Sequence, residues 1–487
     1  MKLPKKHAAS GLRNLCRLRA LHVADGRVIG VAALAAILMG CAPKVDTTRP
    51  GFPFAVAWQN AHPSLNRAVD AEEWWSGLQD PVLDTLASAA LAENLDLNAA
   101  QLRAEAAWTE TGSIQSLRTA EIGATARRSG GNLRDENSVV AGLINLQAVL
   151  DLGRSREAQT LGAIARAGIA YGEASAARLL LIGEVAESYL SLRSAQQRLV
   201  LLNRAQKRQR EILRIAQDLL DEGEGTRIDT LRSQARIHAL DAQATAAQTG
   251  IERKILRLTI LTGAQPGALQ PELLRALQSH RAQPRPGLMP DPTVPADLIR
   301  NRPDLLVAEA RYDGARAALG SARAELYPSL VISGLIDARQ ITARNPMTDA
   351  TETRRGSILS VGPTVRLPVL PTRASRAAVD AATTRVEAEH KAWHGAVLEA
   401  LYEVETSLLE YRKATQAEAA INRTVDLLTE ATNLLKDALR EGEATFGEMA
   451  ALQSDLIDAE LSRADARLQH ARAFVALHIR LGLGSHR

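Results

Sequence analysis

The chain is poor in aromatic residues and in cysteine. Only 3% of its 487 residues are Phe, Trp or Tyr, and its two cysteines are Cys16 and Cys41. Two cysteines cannot form the framework of a small disulfide-stapled fold, which excludes that class of secreted protein. Because Ala, Leu, Arg and Glu dominate instead, the composition favours long helices over compact β-sandwiches.

The sequence also lacks the motifs of common enzymes. It contains no phosphate loop ending in Lys-Ser/Thr, no His-Glu-x-x-His zinc motif and no Gly-x-Ser-x-Gly nucleophile elbow. The ten histidines are dispersed, and His390 and His394, which share a helical face, have no acidic or cysteine ligand cluster beside them. We therefore expect no enzyme activity, no metal site and no cofactor, and interpret these histidines as surface or wall residues.

The first 40 residues have the pattern of a bacterial secretory signal. Seven basic residues lead into an apolar run, Val28–Met39, which is too short to span a membrane comfortably and stops at Gly40-Cys41. This junction is similar to a lipoprotein processing site, so we expect Cys41 to carry a lipid. Ala42 follows instead of the aspartate that favours inner-membrane retention, which favours outer-membrane anchoring. An ordinary signal peptide with a chance cysteine is the alternative.

Removal of the signal changes the charge balance. Residues 1–40 hold seven of the 59 basic and one of the 55 acidic residues, so the remaining 447 residues carry a formal charge of −2. The high isoelectric point thus comes from the signal and not from a basic surface, which argues against a nucleic-acid partner. With Cys16 removed and Cys41 acylated, no thiol remains for redox or metal chemistry.

Proline is absent from two long parts of the chain. None of the 19 prolines lies between Pro81 and Pro266 or after Pro371, whereas eight fall from Pro266 to Pro303. Because proline removes a helix donor and clashes with the preceding turn, the proline-free spans permit helices and the cluster excludes them. The sequence predicts two helical halves joined by an extended linker.

Apolar residues repeat with helical spacing inside each half. Leu179, Ile182, Val185 and Tyr189 follow steps of three and four residues. A single helix over 155–219 would be roughly 95 Å long at about 1.5 Å per residue. We expect such helices to pack side by side in an elongated body; a cytosolic coiled coil is the alternative, against which the exported start argues.

The two halves share short matches in the same order. The matches are residues 222–226 with 441–445 at an offset of 219, and residues 104–106 with 308–310 and 120–122 with 324–326 at an offset of 204. Together they suggest a duplication. Each Glu-Gly-Glu element interrupts a long apolar pattern, where glycine suits a tight turn between antiparallel helices.

Each half also contains one break in the helical pattern, at about 122–152 and 327–370. Apolar and polar residues alternate over Ile358–Pro368 and Val140–Leu150, and less regularly over Ile122–Arg128 and Leu330–Ile341. Four such strands are too few to close an open barrel, and unpaired edges are excluded in lipid. Either several chains share one barrel, or a small soluble sheet caps a helical bundle.

Several motifs follow one another along the mature chain. They are Trp74-Trp75, Asp80-Pro81, Asn94, Asp151-Leu152-Gly153-Arg154, Arg302-Pro303-Asp304, Tyr327-Pro328 and Gly362-Pro363. This ordered set resembles the outer membrane efflux proteins of the TolC and OprM type, specifically their lipoprotein branch. The resemblance covers nearly all of the mature chain.

The resemblance implies a mainly α fold with a small β part. It implies a long antiparallel α-helical tunnel, two tandem structural repeats, and four β-strands per chain that contribute to a trimeric, twelve-stranded outer-membrane β-barrel. The implied segments are a lipoprotein signal peptide at 1–40, an N-terminal extended segment at 41–80, a first repeat at 81–265, a Pro-rich linker at 266–303, a second repeat at 304–482 and a C-terminal tail at 483–487.

The resemblance also implies the function and its partners. The chain would be the outer-membrane channel of a tripartite efflux system, a passive conduit that is lipid-anchored in the outer membrane and extends into the periplasm. Its partners would be two further copies of itself in a homotrimer, a periplasmic adaptor protein, an inner-membrane pump of RND type and outer-membrane lipid. A lipid-anchored, non-conducting periplasmic scaffold is the alternative.

The candidate functional residues lie at the turns between the long helices, which the resemblance puts at the periplasmic tips. The adaptor-docking candidates are Glu222, Gly223, Thr226, Glu441, Gly442 and Thr445. Glu448 matches the first of two acidic positions that ring the constriction in the family, so three copies would favour cations. A solvated carboxylate at a helix start is the alternative. Arg232 is the candidate that tethers the closed tip to an acidic neighbour.

Overall fold

A computed structural model describes residues 51–55, 57–60, 73–114, 118–130, 136–150, 155–287, 302–344, 348, 350–366, 373–441 and 443–485. The described residues divide into two compact units. The sheet unit lies within Arg118–Ser155 and Arg323–Pro371, and the helical unit lies within Val45–Leu117, Arg156–Ala322 and Thr372–Arg487.

The first half of the chain contains two strands between helices. It comprises a 3-10 helix (Trp74–Leu78), α1 (Pro81–Glu93), α2 (Leu95–Ile114), β1 (Arg118–Gly130), β2 (Glu136–Leu150), α3 (Ser155–Asp221) and α4 (Arg227–Leu261). The long helix predicted over 155–219 is confirmed by α3, which has 67 residues. Its length follows from the absence of proline and from the apolar spacing on its buried side.

The second half shows a similar order. It comprises α5 (Pro271–Gln278), α6 (Pro303–Ala324), β3 (Ser329–Arg344), β4 (Thr351–Arg366), α7 (Arg373–Arg440) and α8 (Phe446–Arg480). The expectation that the proline-rich stretch excludes helix is wrong at α5. Pro271 occupies the first turn there, where no intrahelical partner awaits its missing N–H.

The helices of the two halves correspond in length. α4 and α8 each have 35 residues and start 219 positions apart, at Arg227 and Phe446. The third sequence match has no structural counterpart, because residues 120–122 lie in β1 whereas residues 324–326 lie at the end of α6 and in the turn after it. At the offset of 204 the last residue of α2, Ile114, matches Ala318, so α6 continues past the matching point to Ala324.

The sheet unit is an antiparallel meander in the order β1-β2-β3-β4. Gly130 pairs with Glu136 across the first hairpin, and Arg344 pairs with Thr351 across the last. Within the described strands of the chain, β1 and β4 each pair on one side, so both remain open edges.

The four predicted strands are confirmed in number and order, and each begins before its predicted start. β4 begins at Thr351, seven residues before Ile358. Its first ten residues are exposed and mostly polar, so the apolar alternation gives no signal there, and the backbone ladder to β3 holds the strand. The predicted end at Pro368 lies outside the described residues.

The largest of three apolar clusters among the described residues, the central core, aligns the elements of the helical unit. It joins the 3-10 helix, α1 and α5 to the middle of α3, the ends of α4 and α8, and part of α7. Trp74, Tyr189 and Phe474 are fully buried in it. Burial of such large side chains contributes roughly 1.5–3 kcal/mol each, so this cluster fixes where the long helices meet.

Ion pairs connect the long helices along their polar sides. Arg208 of α3 lies 3.0 Å from Glu460 of α8, and Arg198 of α3 lies 3.3 Å from Asp465 of α8. None of the described helices is both long enough and apolar enough to cross a membrane.

Candidate functional site

The turn between α3 and α4 is built from backbone hydrogen bonds. Gly223 has φ 78°, in the left-handed region that glycine adopts without strain. The N–H groups of Glu224 and Gly225 both donate to the carbonyl O of Leu219, at 2.9 and 2.8 Å. These bonds end α3 and reverse the chain, giving the tight glycine turn that the sequence predicts.

Both tips begin their second helix with the same cap. Thr226 Oγ1 accepts the backbone N–H of Asp229 at 3.3 Å, and Thr445 Oγ1 accepts that of Glu448 at 3.3 Å. At the second tip the Glu448 carboxylate also accepts the N–H of Thr445 at 2.8 Å, which completes a capping box. The pattern threonine followed three residues later by an acid therefore starts α4 and α8 alike.

Glu448 is exposed and bonded to its own helix start. The backbone N–H and the hydroxyl of Thr445 both donate to Oε2, each at 2.8 Å. These hydrogen bonds lower the pKa of Glu448 below its usual value, so the carboxylate is charged at neutral pH. The helix-start geometry given as the alternative for Glu448 is present in the single chain, and the acidic ring stays a prediction.

The other tip candidates lie in solvent where the structure describes them. The side chains or backbone of Glu222, Gly223, Thr226, Glu441 and Thr445 are exposed. Gly442 lies outside the described residues, as does Cys41. The exposed positions leave the tips accessible to a partner, and their docking role stays a prediction.

Arg232 and its neighbour Arg236 differ in their contacts. Arg232 is exposed and makes no ion pair with the described residues of its own chain. One turn further along α4, Arg236 lies 3.0 Å from Asp458 of α8. Of these two arginines, Arg236 is the one that forms a cross-helix ion pair within the chain. The sequence pattern does not distinguish it from Arg232, because charge and spacing are alike at both positions.

Among the described helices that carry exposed apolar residues, α4 and α7 each present several of them on one side. The α4 face consists of Ile228, Leu231, Leu256 and Ile260, and the α7 face consists of Leu398, Tyr402, Leu409, Leu427 and Leu434. At about 100° per residue, the first set spans about 80° of its helix and the second about 40°. The members of each set therefore lie on one side of their helix, at separate levels along its length, and exposed apolar residues aligned in this way are typical of interaction surfaces.

Arg302, in the Arg-Pro-Asp motif, joins three helices. Its Nη2 donates to Asp304 at 2.6 Å and to Glu403 of α7 at 2.7 Å, and its Nη1 donates to the carbonyl O of Arg480 at 2.9 Å. Burial alone would lower its pKa, but the bonds to the two carboxylates raise it above the usual value. The motif thus ties the start of α6 to α7 and to the end of α8.

A second buried arginine holds α5 against α3. Arg193 is fully buried and donates to the carbonyl O of Ala276 at 3.0 Å, to that of Ser279 at 2.7 Å, and to Tyr189 Oη at 2.9 Å. Tyr189 in turn donates to Asp80 at 2.6 Å, and burial together with this bond raises the pKa of Tyr189 well above its usual value. The sequence analysis did not identify Arg193 as a buried residue. The feature that could have indicated its burial is its position as a single cation after the apolar residues Leu190 and Leu192.

The N-terminal segment lies along α7. Phe52 packs edge-on against Trp393 with ring centroids 6.3 Å apart. Further on, the backbone N–H groups of Gln59 and Asn60 donate to the two oxygens of Glu405 at 2.7 and 3.1 Å. Residues 52–60 are thereby fastened to α7 at both ends.

The two histidines on one helical face lie beside this segment. The ring centroids of His390 and His394 are 4.6 Å apart, and that of Tyr312 lies 5.5 Å from His390. Burial, His394 and Lys391 lower the pKa of His390. Within the described segments, no three His, Cys, Asp or Glu side chains converge as metal ligands.

The family of the chain follows from its sequence. The model of the outer membrane efflux protein family matches residues 86–264 and 294–483. Because these segments make up more than half of the chain, the protein belongs to the outer membrane efflux protein family, and the predicted family is confirmed.

Individual relatives match over nearly their whole length. Nodulation protein T of Rhizobium leguminosarum bv. trifolii is 26% identical over 92% of this chain and 95% of its own. Outer membrane protein OprJ of Pseudomonas aeruginosa is 26% identical over 93% of this chain and 96% of its own. The solved outer-membrane channel OprN superposes with a TM-score of 0.76 at 25% identity, covering 91% of this chain and 100% of that chain. The mainly helical fold with few strands is thus that of TolC-like outer membrane channels.

Proposed function

We propose that the protein is the outer-membrane channel of a tripartite efflux system and works as a passive conduit, not as an enzyme. Its membership in the outer membrane efflux family supports this proposal. In this arrangement an inner-membrane pump of RND type supplies energy and a periplasmic adaptor joins the pump to the helix tips. A lipid on Cys41 anchors the chain in the outer membrane, and the helices extend into the periplasm.

The exposed faces of α4 and α7 are the observation that carries the proposal. Leu256 lies 29 residues after the start of α4 at Arg227, and Leu409 lies 31 residues before the end of α7 at Arg440. Both are therefore about 45 Å along their helices from the tips. The α4 face of one copy and the α7 face of the next can pack side by side, and such a head-to-tail interface closes into a ring.

The open sheet edges favour the same assembly. If β1 of one copy pairs with β4 of the next, three copies give twelve strands and leave no edge unpaired. Four strands alone enclose no channel, whereas twelve exceed the roughly eight that side chains can fill. We therefore propose a homotrimer with a shared barrel and a shared helical wall.

The aperture is assigned to the second tip. Three copies of Glu448, charged at neutral pH, would form a ring that favours cations. Arg232 is exposed and unpaired within the described part of its own chain, so it is available to an acidic group of a neighbouring copy.

Paired cysteines test the interface, and the mature chain offers no competing thiol beyond the acylated Cys41. The variant Leu256→Cys with Leu409→Cys should form covalent trimers on mild oxidation in the outer-membrane fraction, seen on a denaturing gel. The matched control, Leu256→Cys with Leu434→Cys, puts the second thiol near the tip and should stay uncrosslinked.

The same protein tests conduction and docking. Wild-type trimers in a planar bilayer should conduct, and cysteines at Thr226 and Thr445 should cross-link to the adaptor. A monomer that leaves bilayers silent with its partners present would contradict the proposal and favour the non-conducting scaffold.

A further inference from the structure

Three arginines meet where the chain beyond α5 crosses α8. Gln283 Nε2 donates to the carbonyl O of Ala464 at 3.0 Å, which fixes this stretch of chain against α8. Arg463 and Arg467 are one turn apart on α8, on either side of Ala464, and Arg285 follows Gln283 by two residues. This contact holds the segment that carries Arg285 against the part of α8 that carries Arg463 and Arg467, and both Arg285 and Arg463 act electrostatically on Arg467.

The positive charge of this arginine cluster (Arg285, Arg463 and Arg467) is not balanced by the surrounding acids. Glu418 of α7 is the carboxylate that reaches it, 3.5 Å from Arg467 Nε, and the same carboxylate lies 2.7 Å from His470 Nδ1. Among the described residues, neither Arg285 nor Arg463 makes an ion pair. Only Arg467 of the three therefore has a nearby carboxylate among the described residues, and that carboxylate already has His470 as a partner.

One buried donor of the cluster is also left without a hydrogen bond in the described part of the chain. It is Arg467 Nε, which lies 3.5 Å from Glu418, beyond the usual range for an N–H···O bond. Burial together with Arg285 and Arg463 lowers the pKa of Arg467 in spite of Glu418. Such a site costs free energy unless an anion compensates it.

We propose that the arginine cluster is a binding site for an oxyanion, a phosphate or carboxylate group. Guanidinium groups present planar pairs of donors that match the oxygens of both, and several of them around one anion give short, charge-assisted hydrogen bonds. The bound anion links the chain beyond α5 to α7 and α8. This inference does not depend on conduction and stands or falls separately from the proposed function.

Inorganic phosphate is the first probe. Full-length protein in detergent is titrated with phosphate at constant ionic strength, with chloride as the compensating anion, and the thermal unfolding midpoint and the heat of binding are recorded. The wild type should show a saturable rise of the midpoint. Arg285→Gln should need about ten-fold more phosphate, the loss of one charge-assisted hydrogen bond. Arg285 is exposed, so this variant keeps the packing of α8.

Controls separate the site from general salt effects and identify the source of the anion. Arg210→Gln removes the same charge from an exposed position on α3 and should respond like the wild type. Arg463→Gln should respond like Arg285→Gln. If the unfolding midpoint rises with acetate but not with phosphate, the ligand is a carboxylate. If it rises with phosphate but not with acetate, the ligand is a phosphate group. No rise with either anion beyond chloride, or equal responses of wild type and Arg285→Gln, would overturn the proposal.

Discussion

The central core and the helix tips use polar groups in opposite ways. In the core, Arg193 is fully buried and bonded to carbonyl groups at the end of α5, and the fully buried His478 stacks on Trp74. At the tips, Thr226, Thr445 and Glu448 are exposed and bond mainly within their own helix starts. We therefore expect substitutions in the core to change the stability of the fold. Substitutions at the tips should instead change the binding of partner proteins and the passage of ions.

The largest effect is expected at Arg193. Arg193→Met removes the donor to the buried Tyr189 Oη and Gln196 Oε1 and to the carbonyl O of Ser279, so the free energy of unfolding should fall by about 3 kcal/mol. Urea unfolding followed by circular dichroism measures this. The control Arg214→Met removes an exposed arginine of the same helix and should change the free energy by at most about 0.5 kcal/mol. Equal losses in both variants would contradict the buried role.

The next effect is a pH dependence caused by His478. Burial lowers the pKa of His478 to about 4, against a usual value of 6.5, although its ring bonds to the carbonyl O of Phe474 at 2.7 Å. As the pH falls from 6.5, the unfolded state takes up this proton first, so stability is lost down to about pH 4. Between about pH 7 and about pH 5 this contribution is about 2 kcal/mol.

Substitution isolates this contribution. His478→Asn keeps a donor near Nδ1 but does not titrate, so its stability should fall less than that of the wild type over the same pH interval. His238→Asn, at an exposed position, should follow the wild type. Chemical unfolding at the two pH values measures the difference in the free energy of unfolding. If that free energy falls equally in the wild type and in His478→Asn, His478 is not the cause of the pH dependence.

A smaller effect is expected at the caps. Thr226→Ala and Thr445→Ala each remove the side chain that accepts the N–H at the third helical position, which costs about 1 kcal/mol of local stability. Hydrogen exchange of the first turns of α4 and α8 should accelerate, with little change in global unfolding. Thr424→Ala, in the middle of α7, should leave both turns unchanged; protection that survives cap removal would show that neighbouring chains hold the tips.

The smallest effect on stability, and the most specific effect on function, is expected at Glu448. Glu448→Gln retains the helix start but removes the charge, so the cation selectivity of single channels should fall. Asp229→Asn makes the matching change at the first tip and should leave selectivity unchanged. Unaltered selectivity in Glu448→Gln would reject the acidic ring and leave Glu448 as a cap alone.

The sequence pattern indicated the helix start at Glu448, which was the alternative interpretation of this residue. It did not indicate which arginine of α4 pairs with α8. A cap depends on residues three positions apart, so Thr445 and Glu448 can be read from the chain. The choice between Arg232 and Arg236 depends instead on the rotation of α4 against α8, which packing sets. The exposure of the apolar residues of α4 and α7 could not be predicted either. Helical spacing shows that apolar residues share one side of a helix, but it does not show whether another part of the chain covers that side.

The sequence alone determined the long helices, the number and order of the strands and the glycine turn at Gly223, because these follow from patterns of neighbouring residues, whereas the strand starts depend on pairing with other strands. Only the tertiary structure decided which polar groups are buried together. Gln196 and Leu277 are 81 residues apart, and Tyr189 and Asp80 are 109 residues apart. Such pairs form when packing removes water from both partners, and that event leaves no local pattern in the chain.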